Sequence, residues 1–329
     1  MACQRLKRLP ALLVCGLTPV FAAASEELTA HYRSRHRAAV IALFADDHLL
    51  AGAPAAHAEG DMPQLWQFAA CLLARGGFSV PAVAGHFHLP RCGAAQAGKL
   101  LRQLDILSGR EPPHGNRNAS LPDALLAAAV AALVYAQAET DGLAAAEMCG
   151  ALFSDQTAAP FCCRAIFKAL ALCLSGANNQ RDILFMAADA AGDETVGREL
   201  RAVRALPLER LADESSYTGR LQRIFWIWLR AEDYEAAWQQ GNGMLRDKNA
   251  LRLLAALLAA HLGMAGLPEN LRSHGGRSAE LLSLEIELFD LATRGLLLPV
   301  NAATAPAAGH IAIPSPSRTS SAESGRAAP

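Results

Sequence analysis

The chain has 329 residues, 52% hydrophobic and only 6% aromatic, with a net charge of −1. That length suits one large domain or two ordinary ones. The near-neutral charge, with no basic stripe, gives a nucleic-acid groove little electrostatic support.

The opening stretch, MACQRLKRLPALLVCGLTPVFAAAS, has a basic start, an apolar middle and small residues at Ala22 and Ala24. It reads either as a signal peptide cleaved after Ala24 or as a loose N-terminal segment over residues 1–25. Cytoplasm and export therefore both stay open. A lipoprotein box fits poorly, because Val14, just before Cys15, is not small.

From residue 30 to 298 the pattern predicts one all-α globule. Its apolar mass is mostly Ala and Leu, strong helix formers, and β-branched residues are few. HYRSRHRAAVIALFADD is a first core helix. MPQLWQFAACLLARGGF is a second, opened near Pro63 and stopped at Gly76-Gly77. A polar loop follows. The run Ala124 to Ala136 is too short to span a bilayer and reads as a helix buried on all sides.

APFCCRAIFKALALCLSG is a helix started by Pro160 and stopped at Gly176. YTGRLQRIFWIWLRAEDYEAAWQQG covers two helices, one to about Leu229 and one from Glu232. A Gly-punctuated loop, Gly241 to Gly243, then leads to NALRLLAALLAAHLG, which closes at Gly263. SAELLSLEIELFDLATRG is the last helix. Residues 299–329 turn to Ala, Pro and Ser and read as a disordered tail. No hairpin chemistry and no fixed-period repeat stand out.

The eight Cys fit no zinc template. Cys71, Cys149, Cys162, Cys163 and Cys173 sit in apolar helical contexts, where Cys acts as a small hydrophobe. In GHFHLPRC, His86, His88 and Cys92 carry ligating atoms. Two His at i and i+2 diverge on a helix, so a shared metal would need extended backbone there. The adjacent Cys162-Cys163 pair reads as packing, and Trp226, Trp228 and Trp238 read as core. His48 and His57 read as surface residues. Asn118-Ala119-Ser120 is a glycosylation sequon, relevant only to a secreted eukaryotic chain.

Several segments resemble the ADP-ribosylglycohydrolase family, the all-α fold that includes dinitrogenase reductase-activating glycohydrolase. FADDHLLAG resembles its first-helix Gly-Asp-Ala-Leu-Gly. GDMPQLWQFAACLLARGGF resembles its Thr-Asp-Asp-Thr-Gln helix and Gly-Gly-Phe exit. GNRNASLPDA is similar to a Gly-Asn-Gly-Ala-Ala-Met-Arg loop. AEDYEAAWQQGN, the following turn, AAHLG and GLPENL resemble the stretch around its Gly-Gly-Asp-x-Asp-Thr loop. The likeness spans residues 33 to 290 and is carried by helix spacing more than by identities.

The resemblance implies ADP-ribose as ligand and two Mg²⁺ ions held by oxygen donors of the two acidic elements. Carried over by position, Gly60 stands for the first Thr, Asp61 keeps the first Asp, Met62 stands for the second Asp and Pro63 for the second Thr. Gln64 is kept. In the later loop Met244 and Leu245 replace the Gly pair, Arg246 and Lys248 replace two Asp, and Asn249 replaces the Thr. Asp247 lies one place off, about 100° round a helix.

Two acids have thus become two bases, and a divalent cation should be repelled. The expectation is a degenerate dimetal site with no metal and no cofactor bound. The chain would then be a catalytically inactive binding protein for ADP-ribose or a protein partner. In that reading Arg246 or Lys248 pairs with Asp61 and with Asp46 or Asp47. The alternative is an active hydrolase releasing ADP-ribose, with Asp46, Asp47 and Asp61 as candidate acids and Mg²⁺ only in that case. Asn116, Asn242 and Asn249 are the candidate ligand contacts. A transmembrane segment is not expected.

Overall fold

Twelve consecutive residues, Ala124 to Tyr135, form a helix in which every member is buried. A helix apolar on all sides must lie inside the molecule, and the other elements are arranged around this one. The computed structural model describes residues 11–45, 62–87, 121–275 and 279–293. Among these residues there are thirteen α-helices and no strand.

In chain order the helices are α1 (Ala11–Phe44), α2 (Met62–Arg75), α3 (Val80–His86), α4 (Ala124–Tyr135), α5 (Glu139–Phe153), α6 (Ala159–Leu174) and α7 (Gln180–Ala190). They continue as α8 (Glu194–Ala202), α9 (Tyr217–Trp228), α10 (Tyr234–Met244), α11 (Lys248–Leu262), α12 (Glu269–Gly275) and α13 (Ala279–Thr293). Around α4 pack α1, α2, α5, α6, α11 and α13, while α7 and α8 extend the layer beyond α6. The all-α expectation holds. None of the described helices is long and apolar enough to cross a membrane.

Small residues let the helices approach closely. Gly142 of α5 lies against the ring of Phe167 and the Cβ of Tyr135, and Gly150 lies against the backbone of Pro160. A Cβ at either position would overlap its neighbour, so α4, α5 and α6 are in register only because no side chain intervenes. The Tyr135 hydroxyl accepts a 2.6 Å bond from the Phe78 amide, which fixes the turn after α2 to the central helix.

Two buried arginines close helix ends. Arg35 of α1 donates to the Cys173 carbonyl at 2.6 Å and to Asn178 Oδ1 at 2.7 Å, where α6 terminates. Arg252 of α11 donates to the Leu43 and Ala45 carbonyls, where α1 terminates. A guanidinium suits this role, because the last carbonyls of a helix lack intrahelical partners and carry partial negative charge.

One local expectation is corrected. Gly241 and Gly243 do not form a loop; both lie inside α10, which runs to Met244. Neither has the positive φ that would demand glycine. A Cβ on Gly241 would stand 2.6 Å from Leu254 Cδ2 and 3.0 Å from Leu251 Cδ1 of α11. That glycine serves close packing of α10 on α11. The connection shrinks to Leu245, Arg246 and Asp247.

Candidate functional site

The turn from α10 to α11 is the one described part of the molecule that the family resemblance singles out in full. Leu245 is buried beneath it and anchors it to the core. Asp247 is the N-cap of α11: its backbone is extended (φ −85°, ψ 120°) and its side chain accepts the Asn249 amide. This is the arrangement an Asp adopts to satisfy one of the free amides at a helix start.

Around that cap the charges are ordered. The Glu214 carboxylate accepts the Arg246 amide at 3.0 Å and the Asp247 amide at 3.0 Å. Asp247 turns its second oxygen, Oδ2, toward Arg220 of α9, 3.1 Å from the guanidinium. Arg220 reaches on to Asp123 Oδ2 at 2.6 Å. Asp123 is itself the N-cap of α4, and its Oδ1 accepts the Leu125 and Leu126 amides. The Tyr217 ring lies beneath the same guanidinium, 5.0 Å from its central carbon.

Burial pushes the Asp123 carboxyl above the ordinary carboxylate range; Arg220 opposes that rise and Asp247 adds to it. Burial alone would lower the Arg220 pKa, but Asp123 and Asp247 together reverse the direction and hold the guanidinium above its usual value. Arg220 therefore stays charged at any physiological pH.

The candidate residues fall into two groups. Arg246 and Lys248 project from the turn as exposed side chains, Asn249 is half-buried in the first turn of α11, and Asn242 is exposed on α10. The turn gathers Arg246, Asp247, Lys248 and Asn249, whereas Asn242 sits one helix earlier and faces solvent. Asp46, Asp47, Gly60, Asp61 and Asn116 lie outside the described residues, as do His48, His57, His88, Cys92, the sequon, the segment between residues 47 and 61, and the tail from residue 299. The expected pairing of Arg246 or Lys248 with Asp61, Asp46 or Asp47 has its acidic ends among them. Met62 and Pro63 open α2. Gln64 follows in its first turn, its Oε1 buried without a hydrogen-bond partner.

Asp123, Arg220 and Glu214 are absent from the sequence-derived set. Asp123 was detectable, since an Asp placed just before an apolar helix is a capping signal. Arg220 carries no such signal: it is one of two basic residues on an amphipathic helix, and only the tertiary fold brings it between two caps. Among the described residues no three His, Cys, Asp or Glu side chains gather in a metal-binding arrangement.

No family model and no curated protein matches the chain. A solved structure described as an ADP-ribosylglycohydrolase-related protein complex superposes with a TM-score of 0.59. It covers 80% of this chain and 99% of that one, at 19% sequence identity. The chain has an ADP-ribosylglycohydrolase-like fold. At that identity the likeness lies in helix order and packing, which agrees with a resemblance carried by spacing. Within the ADP-ribosylglycohydrolase-like fold, the α10–α11 turn carries Arg246 and Lys248 at exposed positions and turns Asp247 inward to Arg220.

The other groups singled out by the sequence lie away from this turn. The five described cysteines are free and buried, and burial lifts the Cys162 and Cys173 thiols to about 12. Trp228 is fully buried. Trp226 donates its Nε1–H to the Leu206 carbonyl and is covered by Arg230, 4.1 Å from its ring centre. His86 is the last residue of α3, packed edge-on against Phe87.

Proposed function

We propose that this protein is a catalytically inactive, ADP-ribosylglycohydrolase-like binding protein whose ligand is ADP-ribose or a protein bearing it. The observation that supports this reading is the side-chain disposition of the α10–α11 turn. Where the family resemblance calls for two acids, Arg246 and Lys248 stand exposed and positive. The acid between them, Asp247, faces inward, with one oxygen capping α11 and the other on Arg220.

Mg²⁺ requires several oxygen donors in near-octahedral geometry. The residues of this turn do not fit a pair of such ions: two of the positions carry cations, and the one carboxylate is already shared between a helix cap and a guanidinium. An exposed Arg and Lys suit the opposite partner, an anion such as a diphosphate. The exchange of acids for bases turns a cation-holding loop into an anion-facing one.

Isothermal titration calorimetry with ADP-ribose tests the reading, run once with millimolar Mg²⁺ and once with EDTA. The expected result is binding that EDTA leaves unchanged and that the double variant Arg246→Ala, Lys248→Ala weakens about tenfold, a difference of roughly 1.4 kcal/mol. A parallel incubation with ADP-ribosylated arginine should release no ADP-ribose. Mg²⁺-stimulated release would overturn the proposal and restore the hydrolase alternative.

A further inference from the structure

Two helix N-termini meet at one guanidinium. In α4 and in α11 alike, the capping aspartate divides its oxygens: Oδ1 accepts backbone amides of its own helix, and Oδ2 faces Arg220. The side chains of Arg220, Asp123 and Asp247 are 15%, 9% and 28% exposed, so water screens this corner poorly. The helix ends each contribute partial positive charge, the two carboxylates more than neutralise it, and one cation must then sit between them.

We infer that the Arg220 guanidinium is the resident cation of this corner, fixing α4, α9 and α11 as a bridging metal ion would. A covalently tethered cation needs no ion from solution, cannot be removed by a chelator and bridges both caps through two separate nitrogens. It also accounts for the inward turn of Asp247, which leaves Arg246 and Lys248 on the outside. The inference concerns the packing of the corner and does not depend on whether the turn binds ADP-ribose.

The test replaces the tethered cation by a free one. Thermal unfolding of the full chain is followed in EDTA and in about 10 mM MgCl₂ or CaCl₂, roughly tenfold above the dissociation constants of weak Ca²⁺ sites. The wild-type midpoint should be the same in all three. Arg220→Ala leaves two carboxylates facing each other, so its midpoint should fall by several degrees in EDTA and recover in part with either ion. The double variant Arg220→Ala, Asp123→Asn should show no such recovery.

Should Arg220→Ala fail to fold, Arg220→Gln keeps much of the bulk but removes the charge. Its midpoint should drop and then rise with the ions. An Arg220 variant as stable as wild type, one indifferent to divalent ions, or a wild type stabilised by them would each overturn the inference. None of these readings uses ADP-ribose, so they stand apart from failure of the binding proposal.

Discussion

Arg252 reaches from the second turn of α11 to the carbonyl of Ala45, 2.7 Å away, at the point where α1 ends. A second bond from the same nitrogen goes to the Leu43 carbonyl at 3.0 Å. Arg252 is 3% exposed, so these carbonyls have no water to turn to. The next residues in sequence are Asp46 and Asp47, the candidate acids, which lie outside the described residues. Arg252→Met should cost roughly 2 kcal/mol or more in urea denaturation, since buried acceptors lose their donor. Arg252→Lys should recover part of that loss, because a single ammonium still has N–H donors for these carbonyls but sits on a different, more strongly hydrated side chain. Equal stability of Arg252→Met and wild type would show that the α1 terminus finds other partners.

Gly241 and Gly243 should respond to the same substitution with opposite sign. Alanine is the better helix former, worth up to about 1 kcal/mol in a helix interior. At Gly243 nothing lies within 4 Å of the added Cβ, so Gly243→Ala should stabilise by about 0.5 kcal/mol, less than the full amount so close to the helix end. At Gly241 the Cβ meets Leu254 and Leu251, and overpacking of about 1–3 kcal/mol outweighs the propensity gain. Gly241→Ala should therefore destabilise. If both substitutions destabilise, the segment behaves as the loop that glycine content suggested and not as the end of α10.

That pair also marks where sequence was readable. Long runs with a single meaning, such as Ala124 to Tyr135, or Ala159 to Leu174 between Pro160 and Gly176, gave the helices directly. Glycine was the ambiguous letter. It does end helices at Gly76, Gly176 and Gly263, where φ is positive, but at Gly142, Gly150 and Gly241 it sits within helices to admit a neighbour. Residues 139–153 carry two such glycines, and the short polar α8 has little apolar content, so neither was assigned as a helix from the chain alone. In the site, the basic substitutions at Arg246 and Lys248 were legible from order. The partnership of Asp247 with Arg220 was not, because 27 positions separate them and no local rule links a cap to a distant guanidinium.

Cysteine chemistry gives a further test. Burial with no cationic neighbour strong enough to offset it lifts the Cys162 and Cys173 thiols to about 12, and Cys163 is also driven well upward by burial, with Cys149 adding to the rise. The thiolate is the reactive form, so native protein at pH 8 should leave all three unalkylated by iodoacetamide. Peptide mapping after labelling should find them modified only when urea is present. Rapid native modification of Cys162 or Cys163 would point to a reactive pair and not to packing.

His36 should give the fold its main sensitivity to mild acid. Its ring is wholly buried; Nε2–H donates to the Leu133 carbonyl at 3.1 Å and Nδ1 has no partner. Tyr32 and Phe289 flank the ring, with centroids 6.0 and 5.4 Å away. Burial is the largest cause that lowers the pKa to about 4; the Leu133 bond opposes it and Arg33 adds to the lowering. An unfolded histidine takes its proton near 6.5. Between these values the unfolded chain binds more protons than the folded one, so the contribution is fully present above about 6.5 and is lost progressively as pH falls toward 4. A gap of that width corresponds to on the order of 3 kcal/mol. Urea midpoints at pH 7.5, 6, 5 and 4 should decline along this window for wild type. In His36→Gln, which can still donate to Leu133 but does not titrate, the decline should be visibly shallower. Parallel curves for the two proteins would mean that other groups, carboxylates above all, set the acid sensitivity.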